Sequence, residues 1–306
     1  MFDLIIIGGS AAATAAGIYA ARRGLNFKIV TKDFGGEVAT SGEVDNYPGI
    51  PGTNGIELAD KFKGHLANYG VTPEEGVEVK KITRQADGTF LISAAKDGAE
   101  VNYAAKAVII ATGVHPRELN VPGEKEFRNK GVSYCTVCDG PVFGGKAVAI
   151  VGGGNSALES GLMMADIASK VYMVNKNPGF KGDTILLDNL KTKKNAEFLY
   201  NAKTSRITGE QFVTMLKYEE GGSEKELKVN GVFVHIGMLP NSGLVAEDVQ
   251  KNNQGEIVVD KNCQTNIPGL YAAGDVTDVP FKQIVLAAAQ GTCALLSAVQ
   301  YLNKTK

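Results

Sequence analysis

Five consecutive residues, Cys135-Thr136-Val137-Cys138-Asp139, place two thiols at a spacing that suits either a metal or a redox exchange. A structural zinc needs four ligands, and the other candidates, Cys263, Cys293, His65, His115 and His235, are scattered with none paired at ligand spacing. No metal site is therefore expected. Redox exchange gains from Asp139 directly after the pair, because a carboxylate there could shuttle protons as thiols become thiolates. The competing reading of Asp139 is a solvated turn residue ahead of Gly140-Pro141. Cys263 and Cys293 read as small buried residues, and the three histidines, with no visible partner, as surface or core residues.

Two glycine-rich stretches could cradle phosphate. In a dinucleotide loop the first glycine makes the tight turn, the second lets the backbone approach the pyrophosphate, and the third position allows close helix packing. The N–H groups and dipole of the following helix then hold the anion. Gly152-Gly153-Gly154-Asn155-Ser156-Ala157 satisfies this as G-x-G-x-x-A. Gly8-Gly9-Ser10-Ala11-Ala12-Ala13 is weaker: it keeps the turn glycine but sets a side chain, Ser10, where the phosphate must come close.

The elements around these loops repeat. An apolar strand at Leu4–Ile7 runs into Gly8, strong helix formers fill Ala11–Arg23, and a second strand follows at Phe27–Val30. The same order recurs at Ala147–Val151, Ser156–Ile167 and Lys170–Val174. Each βαβ unit is followed by a β-rich stretch with turn signals, ending in a buried strand that runs into glycine, Ala107–Gly113 and Val232–Gly237. Pro116 and Pro240 punctuate both exits. The pattern predicts an α/β protein of two Rossmann-like, three-layer dinucleotide-binding domains, one inserted in the other. The outer domain comprises 1–114 and 243–306; the inserted one, 115–242, carries the C-x-x-C.

Length and composition agree. A chain of 306 residues has room for about two domains with cores of their own. Lys+Arg 32 against Asp+Glu 33 leaves no basic surplus for nucleic acid or an anionic membrane. Four cysteines are too few for a disulfide framework and fit a reducing compartment. The first residues show no basic leader or cleavage site, and Gln290, Gly291 and Thr292 interrupt the apolar stretch 286–302 short of the roughly 20 residues that span a bilayer. A soluble cytoplasmic protein is expected.

The combination of Gly8-Gly-Ser-Ala-Ala-Ala, Gly35-Gly36-Glu37, Asp45-Asn46-Tyr47-Pro48-Gly49, Ala111-Thr112-Gly113, Cys135–Asp139, Gly152-Gly-Gly-Asn-Ser and Tyr271-Ala-Ala-Gly-Asp275 resembles the low-molecular-weight thioredoxin reductase family over essentially the whole chain. Val121–Gly140 and Ala272–Gln283 are especially similar to the reductase subunit of alkyl hydroperoxide reductase, whose extra N-terminal thioredoxin-like part has no counterpart in these residues. The resemblance implies FAD on Gly8, Gly9, Ser10, Ala11 and Ala12, on Gly35, Gly36 and Glu37, on Asn46, and on Ala111, Thr112 and Gly113. Gly274, Asp275, Lys282, Gln283 and Ile284 complete that site. Two departures stand out. Thr31-Lys32-Asp33 replaces the carboxylate that relatives place after the second strand, so Asp33 must reach from one position further; and Glu37 stands where Gln is usual.

The resemblance also implies a flavoprotein disulfide reductase. Electrons pass from a reduced nicotinamide through FAD to the Cys135–Cys138 disulfide, with Asp139 trading protons, and on to thioredoxin or a thioredoxin-like protein. Nicotinamide and disulfide are mounted on one domain and must visit the flavin of the other, so domain rotation about 114–117 and 239–242 is expected, in a homodimer. The pyridine nucleotide would lie on Gly152, Gly154, Asn155 and Ser156. Thioredoxin reductases continue with arginines that hold the 2′-phosphate of NADPH, but here the stretch reads Val174-Asn175-Lys176-Asn177-Pro178-Gly179-Phe180-Lys181. Asn175 can bond a ribose hydroxyl without repelling a phosphate, while Lys176 and Lys181 attract one without fork geometry. Weak discrimination is expected, with NADH used at least as well as NADPH. Three other readings compete: a reductase of a peroxiredoxin system, a flavoprotein fed by a non-nicotinamide donor, and a non-enzymatic nucleotide-binding redox sensor.

Overall fold

The computed structural model describes residues 1–41 and 43–304, except for the side chains of Glu43 and Cys138. The chain divides into two units, Met1–His115 with Leu239–Lys306, and Pro116–Met238. The second boundary thus falls ahead of 242. The physical reason is Asn241, whose amide donates to the Thr112 carbonyl at 2.8 Å while its backbone N–H donates to Gly113 and its carbonyl accepts the Thr112 hydroxyl. Those bonds tie the returning chain to the outer unit. The short strands Val114–Pro116 and Met238–Pro240 pair with each other where the chain crosses.

The outer unit begins with β1 (Phe2–Ile7), α1 (Ala11–Arg22), β2 (Phe27–Val30) and α2 (Gly55–Ala67), then the antiparallel run β3 (Val77–Arg84), β4 (Phe90–Lys96) and β5 (Ala99–Ile110). β5 does two jobs. Its first half pairs antiparallel with β4, and its second half lies parallel to β1, Ile7 opposite Ile110. Alternation along β1 sends Leu4 and Ile6 to the helical face with Ile29, Ala107 and Ile109, and Ile5 and Ile7 to the opposite face with Val30, Val108, Phe90 and Ile92. Both faces are covered, which is what near-continuous apolar parallel strands require.

The inserted unit contains β6 (Val132–Ser133), α3 (Thr136–Asp139), β7 (Ala147–Val151), α4 (Asn155–Ile167), β8 (Lys170–Val174), α5 (Thr184–Lys191) and β9 (Ala196–Leu199). An antiparallel sheet follows, β10 (Lys203–Gly209), β11 (Val213–Glu220) and β12 (Ser223–Lys228), and then β13 (Gly231–Val234). Strands β9-β8-β7-β13-β6 form one parallel sheet. Val148, Ile150 and Phe233 pack toward α4 and α5; Ala149, Val151, Val232 and Val234 pack toward β10–β12. These are the two three-layer Rossmann-like domains that the repeat predicts.

The chain closes with β14 (Leu270–Ala272), parallel to β5, and α6 (Ile284–Lys304). Here the reading of residues 286–302 needs correction. Gln290-Gly291-Thr292 does not interrupt the helix, and α6 is long and apolar enough, by length and composition, to cross a membrane. Its continuity has a packing cause: at Gly291 a Cβ would come within 2.0 Å of the Ala12 carbonyl oxygen, so glycine lets α6 lie directly on α1. Gly291, Ala294, Leu295, Ala298 and Leu302 form the buried face.

Candidate functional site

In the outer unit the residues expected at a flavin converge on the carboxyl ends of β1 and β5, where open α/β sheets hold ligands. Gly8 turns the chain with φ +130°, and a Cβ there would sit 2.1 Å from the Ala111 carbonyl oxygen. Only glycine brings the first loop against the 111–113 loop. The Gly35 N–H donates to the Gly9 carbonyl at 2.7 Å, fixing Gly35, Gly36 and Glu37 beside the same turn. Ser10 is the N-cap of α1 but its side chain makes no capping bond, and the first turn of α1 carries no acid, so the helix end keeps its attraction for an anion. Gly274 faces Ala12 and Ala287 and donates its N–H to Gln290 Oε1 at 2.8 Å. Asn46 donates to Gln283 Oε1 at 3.3 Å across 237 residues. Burial raises the carboxyl of Asp275, against the pull of Lys282. Lys282 itself pairs with Glu256 at 2.8 Å, just ahead of Gln283 and Ile284. Asp33 is exposed; its carbonyl accepts the Thr31 hydroxyl, which anchors the turn after β2.

The inserted unit presents its loop differently. Gly152 sits against the His235 carbonyl, while Gly154, Asn155 and Ser156 are exposed at the start of α4. Asn175, expected to reach a ribose, requires correction. It is 2% exposed, its amide donates to the Gly179 carbonyl at 2.8 Å, and its oxygen accepts from the Asn177 N–H at 3.1 Å. The side chain is spent on shaping its own loop under Gly153. That loop folds back: the Lys181 N–H donates to the Gly153 carbonyl at 2.7 Å, and Asn155 Nδ2 donates to Asp183 Oδ2 at 3.1 Å. A carboxylate that sequence reading passed over therefore stands at the start of α4. Lys176 and Lys181 are exposed, and neither pairs with a carboxylate among the described residues.

The redox motif begins where β6 ends. Cys135 is disulfide-bonded, whereas Cys263 and Cys293 are free thiols. The expected role of Cys138 falls on a side chain outside the described residues. Ser133 Oγ accepts the Cys135 N–H at 3.0 Å and donates to the Cys135 carbonyl, and the Asp139 N–H returns to that carbonyl at 3.2 Å. Asp139 thus closes the turn that Cys135 opens. Glu124, 1% exposed, accepts from the Leu119 and Asn120 N–H groups and from Tyr134 Oη at 2.6–2.7 Å, bracing the residue ahead of Cys135.

The histidines are not partnerless. His115 Nδ1 lies 2.6 Å from Asn241 Oδ1. His235 Nε2 lies 2.7 Å from Thr136 Oγ1 and 2.9 Å from Ser160 Oγ, and Thr136 donates to Ser160 at 2.9 Å. Burial pushes this imidazole down to about 4, so it is neutral near pH 7. One residue thereby touches the glycine loop with its backbone and the C-x-x-C with its ring. No sequence spacing signals a contact across 99 residues.

Two Rossmann-like units with a disulfide mounted in the inserted one define a class of flavin- and nucleotide-linked disulfide oxidoreductases. The pyridine nucleotide-disulphide oxidoreductase model matches residues 2–291, and the chain belongs to that family. It is similar to thioredoxin reductase from T. acidophilum, at 37% identity, TM-score 0.78 and 100% and 99% coverage of the two chains. Similarity to Lactococcus lactis thioredoxin reductase reaches a TM-score of 0.80 at 29% identity, covering 99% and 100%. A component of the alkyl hydroperoxide reductase of Escherichia coli is 39% identical over all of this chain, which spans 59% of that relative's length.

Proposed function

We propose that the protein is an FAD-dependent reductase of a thioredoxin-like disulfide protein, working through Cys135 and Cys138. The observation that carries this is the disulfide-bonded Cys135 in a unit that also holds a glycine loop at a helix start. The outer unit fits a flavin: a turn that only glycine can occupy, since a Cβ at Gly8 would lie 2.1 Å from the Ala111 carbonyl oxygen, an acid-free helix end, and backbone at 111–113 and 274–275. FAD bound there supplies the relay between a two-electron donor and a disulfide. Gly8 to Ala12 would hold its pyrophosphate, and Gly35 to Glu37, Asn46, Gly274 and Asp275 would complete its site. In the inserted unit, Cys135 and Cys138 exchange with the partner's disulfide, and Asp139 carries the protons that thiol–disulfide exchange requires. Rotation about the two crossings lets nucleotide and disulfide take turns at the outer unit. The reading includes a cytoplasmic homodimer acting on protein rather than on nucleic acid or membrane, in keeping with a net charge of -1.

A peroxiredoxin system as the partner is compatible with the same site. A second reading concerns the donor: Asn175 is consumed within its loop and Asp183 places negative charge at the start of α4, both favouring a non-nicotinamide donor. The test is purified protein carrying about one FAD per chain, mixed anaerobically with NADH, NADPH or a reduced iron–sulfur protein while flavin absorbance is followed, and then offered a thioredoxin or a peroxiredoxin. A colourless protein that takes up no flavin overturns the proposal. Bleaching by the iron–sulfur protein alone selects the second donor.

A further inference from the structure

Away from both glycine loops and the C-x-x-C, the outer unit carries a second pair of sulfurs. Cys263 lies in the turn ahead of β14, 3% exposed, and Cys293 lies midway along α6, partly buried against the same core. Thirty residues separate them in sequence, yet both pack in one core cluster, and the Cys293 thiol is near enough to raise that of Cys263. The mounting on each side is defined. Cys263 holds φ +59°, a left-handed backbone uncommon for a residue with a Cβ, fixed by its N–H to the Asp260 carbonyl at 2.9 Å and by the Ala272 N–H to its own carbonyl at 3.1 Å. Such conformations persist where surroundings over-determine them, and they concentrate at functional sites. Cys293 Sγ donates to the Lys261 carbonyl at 3.5 Å, two residues from Cys263. No step of the proposed reaction uses either thiol.

We infer that Cys263 and Cys293 are a second, slow redox pair, which a hydroperoxide converts to a disulfide that clamps α6 to the turn before β14. Cys293 meets the oxidant first, being the more exposed. The peroxide O–O bond breaks as one oxygen bonds to Cys293 sulfur, water or an alcohol leaves, and a sulfenic acid results. The Cys263 sulfur then attacks that sulfur: the S–S bond forms, the S–O bond breaks, and water leaves with the Cys263 proton. Two thiols lose two electrons to one peroxide. Burial, and then its neighbour Cys293, push the Cys263 thiol up to about 12, so little thiolate is present and closure is slow. The pair therefore responds to sustained oxidant rather than to each turnover. Its effect reaches the proposed flavin site, because Gln290, one helical turn before Cys293, holds the Gly274 N–H.

The test uses the full-length flavin-loaded protein, exposed to hydrogen peroxide and then alkylated without reductant for peptide mass mapping. The expected product joins the Cys263 and Cys293 peptides, short of two hydrogens. It is reversed by dithiothreitol and accompanied by a rise of several degrees in the thermal midpoint. In Cys263→Ser no such product forms, Cys293 proceeds to the sulfinic acid, and the midpoint does not rise; Cys293→Ser, altered at the more exposed position, should also show no product. Wild-type protein in which Cys293 is over-oxidised while Cys263 stays alkylatable overturns the inference, as does a bridge formed only between copies through Cys293. Thiol mapping needs no turnover, so its outcome is independent of whether the protein reduces a partner.

Discussion

The two glycine loops open helices in the same topological setting, and the one with the weaker sequence has the more complete surroundings. Gly8 and Gly9 are buried, pressed by loops that arrive from 31–35 and 111–112. Gly154, Asn155 and Ser156 match the dinucleotide pattern better yet stand exposed, flanked by their own neighbouring loop, with Asp183 bonded to Asn155. A G-x-G-x-x-A string reports a tight turn and a close helix; it does not report what distant segments bring to that turn. Ligand affinity depends on the second quantity.

The largest effects should separate the units cleanly. Cys138→Ser should lower disulfide-reductase turnover at least about 1,000-fold while flavin absorbance per chain stays at the wild-type value. Gly8→Ala should do the reverse: its Cβ meets the Ala111 backbone at 2.1 Å in a left-handed conformation, and flavin retention through gel filtration should fall about 100-fold. At Gly152, the equivalent turn glycine, a Cβ would meet the His235 carbonyl oxygen at 2.1 Å, so Gly152→Ala should disturb the inserted unit's loop yet keep its flavin. Full flavin content in Gly8→Ala would mean that the first loop does not hold the flavin.

Acid provides a smaller but graded contrast. His235 has a folded pKa of about 4 against 6.5, so in that window the unfolded chain binds more protons than the folded one and stability falls as pH drops from 6.5 to 4. Up to about 3 kcal/mol is at stake, and it belongs to the inserted unit. Urea unfolding of wild type and His235→Gln at pH 7 and pH 4.5 measures it. The variant should lose less stability between the two values, and parallel losses would remove His235 as the cause.

Much of this is legible in the sequence. The paired βαβ units follow from apolar runs that end in glycine, and the approximate crossings from proline at the exits, signals that are local; the residues assigned to a flavin follow only from the family resemblance. What escapes is long-range or depends on side-chain direction. His235 finds Thr136 across 99 residues and Cys263 finds Cys293 across 30. Asn175 has the right position for a ribose, but its amide turns inward to close its own loop, a choice that the letters Asn-Lys-Asn-Pro-Gly do not encode. The glycine within 286–302 reads as an interruption and serves instead as the contact between α6 and α1.

If Asp183 competes with a dinucleotide for the start of α4, Asp183→Asn should tighten NADH and NADPH binding by about 5-fold, the equivalent of roughly 1 kcal/mol for a charge at a helix end. Isothermal titration with each nucleotide measures this. Because Lys176 and Lys181 lack fork geometry, the two nucleotides should differ by less than about 10-fold in both proteins. An unchanged affinity for both in the variant would mean that the open second loop is limited by its missing remote contacts alone.

The smallest effect lies in the outer unit and completes the contrast in acid response. Glu74, in the segment that bridges to β2, accepts from Lys28 at 2.7 Å and Lys96 at 2.8 Å, and these two ammonium groups hold its carboxyl at about 2 against 4.5. A depressed carboxylate stabilises the fold above the unfolded pKa, and that contribution is lost as pH falls from 4.5 toward 2. The lysines are 34% and 37% exposed, so solvent screening reduces the gain to about 1 kcal/mol or less. Glu74→Gln should therefore be less stable than wild type by about that amount at pH 7, with the gap closing below pH 4.5. Salt should shrink the gap at pH 7 as well. The outer unit then keeps this support down to about pH 4.5, through most of the window in which His235 costs the inserted unit its own, so acid unfolding near pH 4.5 should begin in the inserted unit. Hydrogen exchange resolved by peptide at that pH tests the order, and earlier exchange in β1 and β5 than in β7 and β13 would reverse it.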